Sequence, residues 1–272
     1  MAPDGDDGNV EALRRLDALT RRLRQDCPWD REQDERTIVP HTVEEAYELA
    51  AAAQAGDDGK LLDELGDVLF QVHFLALLLE ERGAGSLAEV ADHVREKLIR
   101  RHPHVFGEEA AEGDTELSSR QVLANWDAIK RTEPGREGGL FGEVPENLPG
   151  PLHARKVQRR AASSGFDFDR VPYDAIRGEL DELEAADGRE ERFHEVGDVL
   201  FAAVNVARKL RVDPELALRA ASERFRGRVE GAADLAARDG ADWHDLSPGA
   251  QLGYYARVRL AEASPGTDTD TD

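Results

Sequence analysis

Apolar residues recur three or four positions apart along nearly the whole chain. Val10, Leu13, Leu16, Leu19 and Leu23 form one such series, and Leu61, Leu65, Val68, Leu69 and Val72 form another. That is the period of a helix with one buried face, and no segment shows the strict alternation of a half-buried strand. Helix starts are legible at Thr42, followed three residues on by Glu45, and at Ser86, followed by Glu89, both in the pattern of a capping box. Asp213 before Pro214 marks another, because proline at the first helical position forfeits only an N–H that has no partner there. The pattern predicts helices near 9–26, 42–55, 60–82, 86–101, 118–131, 153–163, 173–187, 189–211, 214–238 and 248–261.

Between Pro134 and Pro151, nine of eighteen residues are Gly or Pro, a density no helix sustains. The expected organisation is a helical domain over 1–133, a linker over 134–151, a second helical domain over 152–263 and a disordered tail over 264–272, where the sequence is SPGTDTDTD. The two halves are related. DELGDVLFQVHFLA at 63–76 matches HEVGDVLFAAVNVA at 194–207, with GDVLF identical. EAYE at 45–48 aligns with ELDE at 179–182, and EKLIRR at 96–101 with ERFRGR at 223–228, at offsets of 134, 131 and 127 residues. A duplicated all-α unit with small loop deletions is the economical reading.

Composition narrows the function. The 272 residues carry 57 acidic and 35 basic side chains, a formal charge of -22. Such a balance opposes binding to a nucleic-acid backbone or an anionic membrane. The single cysteine, Cys27, excludes an intrachain disulfide and a multi-cysteine zinc site. The opening MAPDGDDGNV has neither the basic nor the apolar region of a secretion signal. The most apolar window, Val68–Leu79, is far short of the ~20 residues of a membrane span. A soluble, cytoplasmic protein is expected.

The acids recur in one arrangement in both halves: Glu45 and Glu48 then Glu64 and Asp67, and Glu179 and Glu182 then Glu195 and Asp198. Each pair is spaced i, i+3, so both carboxylates share a helix face with Cβ atoms ~5–6 Å apart. A helix hairpin brings the two pairs of each half together. Two such charges ~4 Å apart repel by about 4 kcal/mol at an effective dielectric near 20, so the cluster needs a counter-ion. Mg²⁺, with Mn²⁺ as a substitute, suits an all-oxygen site shared with substrate phosphates. Phosphoanhydride hydrolysis is the chemistry such an ion serves. The alternative for any one E-x-x-E in so acidic a chain is a solvated helix face.

An anionic substrate also calls for cations. Lys97 and Arg101, repeated as Arg224 and Arg228, sit four apart on a helix face and are candidates for phosphate, as is Lys60, one turn before Glu64. Pairing with exposed acids is their other reading. Glu191 stands where the second half would repeat Lys60, so the two halves are not chemically equal. His102 and His104 lack a third metal ligand and read as a rigid turn around Pro103. The Glu191–His194 E-x-x-H has no counterpart in the first half. Trp29 is read either as a base-stacking ring or as a core aromatic. P-loop, serine-hydrolase and dinucleotide-binding patterns are absent.

CPWDREQ (27–33), HTVEEAYEL (41–49), DELGDVLFQ (63–71) and RRHPHVFG (100–107) together resemble the MazG family of nucleoside triphosphate pyrophosphohydrolases. The second repeat resembles a second MazG domain, and the likeness covers about residues 10–261. It implies an all-α homodimer that cleaves a nucleoside triphosphate to the monophosphate and diphosphate. Mg²⁺ would be held by the eight acids named above, with one glutamate acting as base toward water. Removal of aberrant or surplus nucleotides is the implied role. In two-domain members the C-terminal unit can carry the activity, with lysines beside its acids. Ala175 and Glu191 replace those lysines here and His194 replaces an acid, which favours the first unit. Tyr255 is the loose match to a base-stacking aromatic. Two other functions remain open: a non-catalytic acidic helical adaptor, and a pyrophosphatase restricted to one base such as that of dUTP or dCTP.

Overall fold

The computed structural model describes residues 6–107, isolated positions between 118 and 141, and residues 144–263. The chain is all-α: every regular element among the described residues is a helix. It divides into two compact units, Met1–Gly135 and Arg136–Asp272. The helix expected near 118–131 and most of the linker fall largely on undescribed positions, and the tail 264–272 lies outside the described residues.

The first unit comprises α1 (Asp6–Asp26), α2 (Pro28–Glu32), α3 (Glu35–Ala55), α4 (Asp58–Glu81), α5 (Leu87–Arg101) and α6 (Pro103–Phe106). Helix α3 begins at Glu35, about two turns before Thr42. Its true cap is Asp34, whose carboxylate accepts from the N–H groups of Arg36 (2.8 Å) and Thr37 (3.0 Å), while the Thr37 hydroxyl accepts from the Asp34 N–H at 2.9 Å. Thr42 lies inside the helix and turns its hydroxyl back to the Ile38 carbonyl. Pro40 suggests a break, yet one lost hydrogen bond is tolerated inside a helix capped so firmly upstream. The Ser86 and Asp213 caps form where the pattern places them.

Gly56 ends α3 at φ 67°, a left-handed conformation in which a side chain is strained, and Asp57 at once caps α4 through the Lys60 N–H. So short a connection folds α3 and α4 into an antiparallel pair. Ile38, Phe74 and Leu78 form the core between them, with Phe70 set edge-on against Phe74. Helix α1 docks on α4 through ion pairs: Arg21 with Glu80, and Arg24 with Glu81.

The second unit comprises α7 (Gly150–Ser163), α8 (Tyr173–Ala185), α9 (Arg189–Lys209), α10 (Pro214–Arg238), a 3₁₀ turn (Trp243–Asp245) and α11 (Pro248–Ala263). Helices α8 and α9 pair as α3 and α4 do. Helix α7 is tied to α9 by Gln158, which donates to the Phe201 carbonyl at 2.7 Å, and reaches α10 through an Arg155–Asp213 ion pair. Helices α10 and α11 pack together at Gly231, where a Cβ would lie at an ordinary contact distance of 3.6 Å from Val258. Asp167, in the loop before α8, is clamped by Arg208 and Lys209 at the end of α9.

Large apolar side chains remain uncovered on the acid-bearing helices. Leu62, Leu65, Leu69 and Val72 of α4, and Val196, Leu200 and Phe201 of α9, are all exposed. Among the described residues, no helix is long and apolar enough to cross a membrane.

Candidate active site

The α3–α4 hairpin brings Glu45, Glu48 and Glu64 together, each offering a carboxylate oxygen within 4.8 Å of the others. The α8–α9 hairpin does the same with Glu179, Glu182 and Glu195. These are the two such groupings among the described residues, and neither involves His102 or His104. Asp67 and Asp198, one turn further along, stand outside the tight triads, but their charges reach them.

Burial pushes the Glu45 carboxyl above the usual carboxylate range, reinforced by Asp67, Glu48, Glu64 and Glu44. Glu64 is raised by burial, then by Glu48, Asp67 and Asp63, with the Lys60 ammonium opposing. Glu195 is raised by burial, then by Glu182, Asp198, Glu179 and Glu191. Each centre is thus a set of anions without a local cation sufficient to balance them. In the second centre, Oε2 of Glu195 is shielded from solvent and has no hydrogen-bond partner. A buried carboxylate oxygen in that condition is costly alone and is the donor a hard divalent ion takes. The triads therefore fit such an ion by donor type, spacing and charge.

The expected phosphate-binding cations are placed unequally. Lys60 is exposed one turn before Glu64 on the same helix. Lys97 lies half-buried on α5 and Arg224 is exposed on α10. Arg101 is buried, with its guanidinium over the Trp126 ring at 5.4 Å from the centroid. Arg228 is engaged by Glu262 at 2.8 Å and by Tyr255, both of which raise its proton affinity. Tyr255 itself packs on Phe225, ring centroids 5.7 Å apart. A phosphate would have to displace these contacts to reach Arg101 or Arg228.

Trp29 is no core residue. It is 52% exposed, on the short helix α2, with its ring 6.0 Å from that of His41. His41 precedes Glu45 by one turn, and its Nδ1 lies 3.2 Å from the Glu44 carboxylate. The sequence offered CPWD as a motif but gave no sign that Arg24 holds this helix in place, donating to the carbonyls of Asp30 and Gln33.

Comparison with known proteins agrees with this geometry. The MazG nucleotide pyrophosphohydrolase domain matches residues 33–106, the stretch holding the first triad. A nucleoside triphosphate pyrophosphohydrolase of Escherichia coli K12 is 38% identical over 231 residues, 80% of this chain and 86% of that protein. A protein of Thermotoga maritima named nucleoside triphosphate pyrophosphohydrolase/pyrophosphatase MazG is 40% identical over 217 residues, 79% of this chain and 82% of its own. A nucleoside triphosphate pyrophosphohydrolase of Mycobacterium tuberculosis is 33% identical over 175 residues, 63% of this chain and 50% of its own. Similarity at this level, carried across most of the length of the chain, places it in the MazG family.

Proposed function

We propose that this protein hydrolyses nucleoside triphosphates to the monophosphate and diphosphate with a divalent cation, Mg²⁺ or in its place Mn²⁺, and so clears surplus or aberrant nucleotides. The observation that carries the reading is the convergence of three carboxylates on one point from two helices, in a family whose relatives bear that activity in their names. Glu45, Glu48, Glu64 and Asp67, and in the second unit Glu179, Glu182, Glu195 and Asp198, would hold the ion. When bound, it neutralises charge on the polyphosphate and favours attack on phosphorus. Lys60, exposed one turn before Glu64, would meet phosphate oxygens. One glutamate would act as base toward the attacking water. The uncovered leucines and phenylalanine of α4 and α9 support a homodimer, in which a second copy would cover them.

Release of diphosphate from a panel of canonical and modified triphosphates tests the reading. Glu45→Ala combined with Glu179→Ala should abolish Mg²⁺-dependent release, and full activity in that double variant would refute the site. A panel response confined to dUTP or dCTP would establish the base-restricted form. An adaptor would show neither turnover nor a nucleotide-dependent rise in thermal stability.

A further inference from the structure

We propose that the two acidic centres have different occupants: the first seats a nucleoside triphosphate with its divalent cation, and the second takes a divalent cation without a nucleotide. This rests on the pyrophosphohydrolase reading and assigns its substrate to one of two superficially similar sites.

The metal-binding half of the arrangement is present twice. Both triads have the same spacing, and the second contains the solvent-shielded Oε2 of Glu195. The groups around them differ. One turn before Glu64 stands the Lys60 ammonium, and one turn before Glu195 stands the carboxylate of Glu191. Glu191 is fixed in that place, because its Oε2 accepts the Asp187 N–H at 2.7 Å just ahead of α9. An incoming triphosphate therefore meets a cation at the first centre and a held anion at the second. Arg192, three residues before Glu195, is engaged by the interhelical connection, its Nε donating to the Ala186 carbonyl at 3.3 Å.

The partner helix differs in the same sense. One turn before Glu45 is His41, its ring tilted 58° against the exposed indole of Trp29, and one turn before Glu179 is Ala175. The exposed indole, on a helix held by Arg24, offers its face to a nucleobase beside the acids, with the imidazole set at 58° to it. With Nδ1 held by Glu44, the His41 Nε2 is left for the base edge. The second unit does have exposed aromatics: Phe193, in contact with the ring of His194, is two residues before Glu195 and so on a different face of α9, and Phe166 and Phe168 lie in the loop before α8. However, Asp167 between them is clamped to Arg208, thirteen residues beyond Glu195, which is about 20 Å along α9 from the acids.

The test is equilibrium binding to the full chain, using an α,β-methylene nucleoside triphosphate that cannot be cleaved, and Mn²⁺ counted by its paramagnetic resonance. Wild-type protein should bind one analogue per chain, and Mn²⁺ alone should occupy both centres. Glu45→Gln with Glu48→Gln should weaken analogue binding at least tenfold and leave Mn²⁺ at the second centre. Glu179→Gln with Glu182→Gln should remove that Mn²⁺ and leave one analogue bound. Ala175→His with Glu191→Lys should create a second analogue site. Circular dichroism confirms that each variant is folded. Two analogues per wild-type chain, analogue binding that survives loss of Glu45 and Glu48, or a second centre that takes no Mn²⁺ would each overturn the proposal while leaving the enzymatic reading intact. A wild-type chain that binds no analogue with any divalent ion would overturn both.

Discussion

Replacing Arg24 by methionine separates what the buried guanidinium contributes from what its aliphatic stem does. The side chain is 17% exposed, and its Nε and Nη2 each lie 2.9 Å from an oxygen of Glu81. Nη1 donates to the carbonyls of Asp30 and Gln33, and the guanidinium sits 5.8 Å from the Phe74 ring centroid. One residue thus joins α1 to α4 and fastens α2 between them. Methionine preserves most of the apolar packing on Phe74 but leaves two carbonyls and a carboxylate without their donor. The carboxylate is 40% exposed and recovers water, so its share is about 1 kcal/mol. Charge-assisted bonds to the carbonyls add ~1–2 kcal/mol, for a total of about 2–3 kcal/mol. For a unit of this size that is a fall on the order of 10 °C in Tm. Glu81→Gln, which spares the carbonyl bonds, should cost only about 1 kcal/mol. Urea unfolding of the two variants measures both quantities. If Arg24→Met costs no more than Glu81→Gln, the carbonyl bonds do not hold α2, and the fixed position argued for Trp29 loses its support.

The remaining expectations concern charge. Burial alone would raise the Asp167 carboxyl, but hydrogen bonds from Arg208 and Lys209 overcome it and hold the group at about 2. A depressed carboxyl stabilises the fold above its unfolded value near 4 and loses that contribution as pH falls through about 2. Asp167→Asn should cost about 2 kcal/mol at neutral pH, with the gap from wild type closing as unfolding is repeated from about pH 4 downward. A gap that does not change with pH would mean that packing, not charge, holds the loop. Glu45, Glu64 and Glu195 are displaced upward, so their favourable contribution is complete below the unfolded carboxylate value and is lost as pH rises through the raised ones. Mg²⁺ should therefore raise Tm at neutral pH, and the rise should shrink as acid lets protons compete for the same oxygens. A Mg²⁺ effect that grows with acidity, or that persists undiminished in a Glu48→Gln, Glu182→Gln variant, would contradict the assignment of these ligands.

Several features were legible without coordinates because they depend on neighbours in the chain. Ser86 with Glu89 and Asp213 with Pro214 each cap the helix that follows, since a cap is decided within four residues. The i, i+3 spacing of the glutamates needs only helical geometry to put two carboxylates on one face. Thr42 misled because the same local pattern exists upstream, where Asp34 and Thr37 form a better box and the helix runs through Pro40. Helix α2 was illegible because five residues carry no period, and what holds them is Arg24 from another helix. Arg101 and Arg228 matched by position, but their partners, Trp126 and Glu262, are distant in the chain.

The sequence by itself determined an all-helical chain, the pairing of acids on helix faces, the internal likeness of the halves and the opposition of Lys60 to Glu191. Periodicity, capping and charge are properties of residues a few positions apart, and helices express them directly. Tertiary packing alone decided that Glu64 meets Glu45 and Glu48 while Asp67 stands one turn off. It also decided that Trp29 faces solvent against His41, and which arginines are already engaged. Those outcomes depend on the register of one helix against another. That register is set by a left-handed Gly56, a buried Phe74 and a shared arginine acting together across distant parts of the chain.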